Sequence, residues 1–133
     1  MSERTSFDYS IIRVVPRVDR GEQLNAGVLL YCLKKDFLAA GLALDEARLS
    51  ALWPGVDLEL VRTHLSAIAR VCAADPEAGP VARLTQRERW HWLVAPRSTI
   101  IQMSPVHSGL SVDPGATLAH LVDRLVRCPP AEP

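Results

Sequence analysis

Ala26-Gly27-Val28-Leu29-Leu30-Tyr31-Cys32-Leu33 is a near-continuous apolar run of strand length. It shows no apolar–polar alternation, so both faces of such a strand must be covered, and the run reads as the centre of a sheet. Upstream, Phe7 to Val15 is rich in β-branched and aromatic residues and stops at Pro16, which makes it a second strand. Phe7, Tyr9, Ile11, Arg13 and Val15 share one of its faces; Asp8, Ser10, Ile12 and Val14 share the other. A polar loop from Arg17 to Leu24, containing Gly21, joins the two strands. Downstream, Lys34-Lys35-Asp36 is a short turn into a third strand, Phe37 to Leu44, antiparallel to the central one. Gly41 within it signals a bulge or a close backbone approach.

The rest of the chain is mostly helical. Asp45 predicts the cap of a short helix to Leu52, ended by Trp53-Pro54-Gly55. Asp57 predicts the cap of a longer helix to about Ala73, with Leu58, Val61, Leu65, Ile68 and Cys72 as its buried stripe. Thr85 and Glu88 have capping-box spacing, so a third helix starts there and runs to about Ala95. Ser98 to Met103 reads as a fourth strand, and Ser104 to Val112 as a loop punctuated by Pro105 and Gly109. Asp113-Pro114 opens a last helix with the stripe Leu118, Leu121, Val122, Leu125 and Val126. The order β-β-β-α-α-α-β-α predicts an α+β fold: an antiparallel or mixed sheet of about four strands with helices packed on it. With no internal repeat and no linker, residues 1–133 are expected to form a single domain, with a core over 7–127 and a disordered tail at 128–133.

Composition narrows the function classes. Of 133 residues, 48% are hydrophobic and 23% charged, a globular balance. Fifteen basic and fifteen acidic side chains cancel, which argues against nucleic-acid coating and against a polybasic membrane binder. Cys32, Cys72 and Cys128 are far apart and odd in number, so they read as reduced thiols and not as a disulfide framework or zinc site. The four histidines lack paired-ligand spacing, and no phosphate loop or dinucleotide fingerprint is present; neither a metal nor a cofactor is expected. Met1 to Asp8 lacks a signal-peptide apolar core, and no stretch approaches the ~20 apolar residues of a membrane span, so the expected location is cytoplasmic.

Several polar residues are candidates for a site. Arg13 lies on an otherwise apolar strand face and needs an anionic partner. Glu22 in the next loop would supply it internally; the other reading makes Arg13 an anion-binding group at the end of the sheet. Glu22, Asn25 and Gly27 stand where that loop enters the central strand, as turn residues or as a ligand-facing lip. Arg97, Ser98, Ser104, His107 and Ser108 flank or follow the fourth strand. Taken together, Arg13, Glu22, Asn25, Arg97, Ser98 and His107 predict a polar pocket for an anionic or peptide group, provided that the early and late loops converge at one end of the sheet. The competing reading is a small hydrolase or transferase in which His107 activates Ser104 or Ser108, with Glu22 orienting it. The basic-aromatic segment Arg83 to Trp92 reads more simply as a helix with Trp90 and Trp92 anchoring the core than as a nucleic-acid platform.

Two stretches carry a resemblance. One is Tyr9-Ser10-Ile11-Ile12-Arg13 with Gly21-Glu22 and Asn25-Ala26-Gly27-Val28. The other is Pro96-Arg97-Ser98-Thr99-Ile100-Ile101-Gln102 with Ser104-Pro105-Val106-His107-Ser108-Gly109-Leu110 and Asp113-Pro114. Together they resemble the bacterial family termed domain of unknown function 3037, over roughly residues 7 to 127. Ser108 stands where the family is associated with Thr, and the hydroxyl is kept. The resemblance brings no catalytic residues. It implies a small protein that works with a protein partner, a HipA-like Ser/Thr kinase being the candidate. Whether the chain also forms a homo-oligomer is left open by the sequence.

Overall fold

The computed structural model describes residues 3–128. Strand β1 (Thr5–Val14) pairs antiparallel with β2 (Leu24–Cys32), which pairs antiparallel with β3 (Phe37–Leu42). The apolar run is central as its composition requires: every residue from Ala26 to Cys32 is buried, but Leu33, the last residue of the run, lies beyond the strand in a 3-10 turn and is 58% exposed. Asp36 makes the turn into β3 with a left-handed backbone, φ 49°. Helices α1 (Glu46–Leu52), α2 (Leu58–Cys72), α3 (Gln86–Val94) and α4 (Pro114–Leu125) follow, with two single 3-10 turns between α2 and α3. Asp45, Asp57, Thr85 and Asp113 each accept a backbone N–H at a helix start, and Glu88 completes the capping box at Thr85.

The fold is α+β, with a five-stranded antiparallel sheet. Strand β4 (Ile101–Met103) is shorter than Ser98 to Met103, and a fifth strand, β5 (His107–Ser111), occupies the segment expected to be a loop. Both lie along the same edge of β1, so they are two pieces of one broken edge strand. From Met103 to His107 the edge strand takes four residue steps, while β1 takes three from Ile12 to Tyr9. The extra residue makes a bulge at Ser104-Pro105-Val106. Pro105 is tolerated because an edge strand needs no N–H on its outer side. Gly109 lies over the Phe7 ring, where a Cβ would stand 2.8 Å from Cζ. Both residues look like loop punctuation in one dimension; the pairing with β1 puts Gly109 inside β5 and Pro105 in the bulge between β4 and β5.

Two cores enclose the sheet. On one face Ile12, Val14, Leu29 and Tyr31 pack against Leu49, Leu65, Trp90 and Leu93 from the first three helices. On the other, Phe7, Val28, Leu30 and Cys32 pack against Leu118, Val122 and Val126. Gly41 makes no bulge, and what comes close to it is side chain and not backbone: α4 presses on it, and an added Cβ would meet Val122 Cγ2 at 2.6 Å. Trp90 is buried against Tyr31, but Trp92 is not the core anchor expected of it; it is 44% exposed. Arg89 is buried instead, and its guanidinium donates to the carbonyls of Val71 (2.9 Å), Cys72 (2.7 Å) and Leu84 (3.1 Å). All three cysteines are free, Cys32 and Cys72 buried and Cys128 exposed. Burial pushes the Cys72 thiol up to about 12. Of the expected disordered tail, residues 129–133 lie outside the described residues.

Candidate functional site

Alternation along β1 sends Phe7, Tyr9, Ile11 and Arg13 toward the α4 side of the sheet. Helix α4 packs over β2 and β3, so Tyr9, Ile11 and Arg13 stay only half-buried. On the edge strand His107 stands opposite Tyr9 and Gln102 opposite Arg13, on the same face. The His107 and Tyr9 rings lie against each other, with centroids 5.3 Å apart. Beside β1, Asn25 pairs with Arg13 and donates from Nδ2 to the Leu125 carbonyl at the end of α4, 3.0 Å. The result is an open strip of sheet bordered by α4. Arg13 Nε is buried within it and has no hydrogen-bond partner among the described residues.

Of the residues singled out in the sequence, Arg13, Asn25 and His107 therefore share one face. They do not form one compact pocket. Arg13 and Tyr9 are four residues apart on an extended strand, about 13 Å, and His107 is level with Tyr9. Glu22 pairs with Arg20, its neighbour in the exposed loop, and not with Arg13. Ser104 is buried at the bulge: its Oγ accepts the Ile11 N–H at 2.7 Å and donates to the Pro105 carbonyl at 2.9 Å. Ser108 points to the other face and donates to Asp8 Oδ1 at 2.6 Å. Among the described residues neither His107 nitrogen makes a hydrogen bond, so neither serine is joined to it.

Arg97 and Ser98 lie on the helical side, before β4. Ser98 is exposed. Arg97 stacks over Trp92, Cζ 4.2 Å from the ring centroid, and donates to the carbonyls of Leu93 (3.2 Å) and Trp92 (2.6 Å) at the end of α3. The sequence reading missed Tyr9 as a site residue, although its shared face with Arg13 was legible. Its contact with His107 was not, because that depends on a strand pairing across almost a hundred residues.

Among the described residues no group of three His, Cys, Asp or Glu side chains is placed to hold a metal ion. No described helix is long and apolar enough to cross a membrane. The class is thus a small α+β protein whose sheet is covered by helices on one side and only partly on the other. The chain belongs to the family described as "Protein of unknown function (DUF3037)", whose model matches residues 9–126, a span that includes the whole open strip. Comparison with curated proteins and with solved structures finds no match.

Proposed function

We propose that this protein is a binding module that docks a protein partner on the open strip, with Arg13 receiving an acidic side chain of that partner. The observation that carries the reading is the Arg13 guanidinium: half-buried on an uncovered sheet face, its Nε enclosed and unpartnered, and no carboxylate paired with it among the described residues. A buried guanidinium N–H without an acceptor is costly, and a carboxylate arriving from outside offsets that cost. Tyr9, Ile11 and His107 supply flat apolar and aromatic area around it, the composition from which binding anchors are built.

A HipA-like Ser/Thr kinase is the candidate partner, on the strength of the family resemblance. The test is titration calorimetry of the protein with such a purified kinase from the same host. The intact protein is expected to bind, and Arg13→Gln to weaken binding at least about tenfold with the fold retained by circular dichroism. Absence of binding removes the kinase from the proposal. Equal binding by Arg13→Gln removes the strip.

A further inference from the structure

On the opposite face from the strip, α2, the turns after it, α3 and β4 enclose a half-open cavity of about 280 Å³. Ile68, Val71, Val81, Leu93 and Ile101 give it an apolar wall. Arg97 also lines it, together with His64 and Thr99, and none of its lining residues is acidic. The guanidinium is held in place by the Trp92 ring and by two carbonyls at the end of α3, and has no carboxylate partner among the described residues. Two carbonyls leave most of its five N–H donors free. A largely apolar hollow with a fixed, permanently charged guanidinium and no acidic group to offset it is complementary to a molecule with an apolar body and one negative end. The volume is at or below the small end of ligand pockets, which restricts that body to a short chain or a single ring.

We infer that this cavity binds a small apolar monocarboxylate, its hydrocarbon part against Ile68, Val71 and Leu93 and its carboxylate on Arg97. The site shares no residue with the strip proposed for partner docking, and the two can fail independently. An apolar amino acid at the free end of a peptide carries the same chemistry; the size of the cavity favours the free acid.

The test is titration calorimetry with octanoate, octanol, octylamine and a pentapeptide ending in a free leucine. Octanoate is expected to bind, with octanol and octylamine at least about tenfold weaker. Arg97→Gln should abolish the preference for octanoate over octanol. Because Arg97 also closes α3, a second variant, Ala67→Trp, fills the cavity from an exposed position on α2 and should remove octanoate binding with helix content unchanged. Equal affinity for octanoate and octanol, no octanoate binding at about 5 mM, tighter binding of the peptide than of octanoate, or octanoate binding unaffected by Ala67→Trp would each overturn the assignment.

Discussion

Ser104 shows how a residue suited to catalysis can be committed to structure. Its hydroxyl stands in for the backbone carbonyl that the bulge takes away from the Ile11 N–H, and Ser10 Oγ in turn donates to the Ser104 carbonyl at 2.7 Å. Ser104→Ala strands a partly buried donor and should lower stability by about 1–3 kcal/mol in urea unfolding. An unchanged urea midpoint would contradict that role. Tyr31 is the opposite case. Its hydroxyl is buried without a partner among the described residues, and burial raises its phenol above the ordinary value. Tyr31→Phe should therefore leave stability unchanged or raise it by up to about 1 kcal/mol. A clear loss would reveal a bound water or ligand on that oxygen. Neither role was legible in the sequence. The spacing of Ser104 and His107 suggested a pair, whereas the partners that claim Ser104 lie more than ninety residues upstream.

Among the elements, those written locally were read correctly. Asp45, Asp57, Thr85 with Glu88, and Asp113-Pro114 carry their cap signals within a few residues, and each helix starts where they stand. The central run declared its own burial for the same reason. Elements defined by a distant neighbour were not read. Strand β5 exists because β1 offers it an edge, and nothing between Ser104 and Val112 alternates strongly enough to announce it. Arg89 sat in a segment that looked like a basic-aromatic face, yet it ties α3 to the last turn of α2 through the Val71 and Cys72 carbonyls. Arg89→Leu should cost about 3 kcal/mol, because the carbonyls would stay buried without their donor. Arg89→Lys should recover only part of that, since an ammonium cannot reproduce the planar fork. Equal stability of Arg89→Leu and the parent in urea would contradict the tie.

At the level of the whole molecule, the α+β class followed from element order, while the two-sided placement of helices depended on contacts between distant segments. So did the separation of Arg13 from Arg97: Arg13 stands on the α4 side of β1, while Arg97 follows α3 on the opposite face of the sheet. Global stability should also carry a mark from the buried Cys72. Its folded thiol is pushed by burial from an ordinary 9.0 to about 12. The folded state therefore holds a proton that the unfolded chain gives up first. The contribution is complete below pH 9 and is lost as pH rises toward 12. The urea midpoint should fall across that interval, and the fall should be shallower in Cys72→Val. Identical slopes would place the alkaline sensitivity elsewhere.

The interruption at Ser104-Pro105 has a consequence for chains that meet one another. A straight, uninterrupted border would present a long row of open amides, an invitation to stack copies into fibrils. Here that border is cut into a three-residue and a five-residue piece, with an imino acid and an offset between them. An incoming strand that aligns with one piece is out of step with the other, so zipping stops after a few rungs.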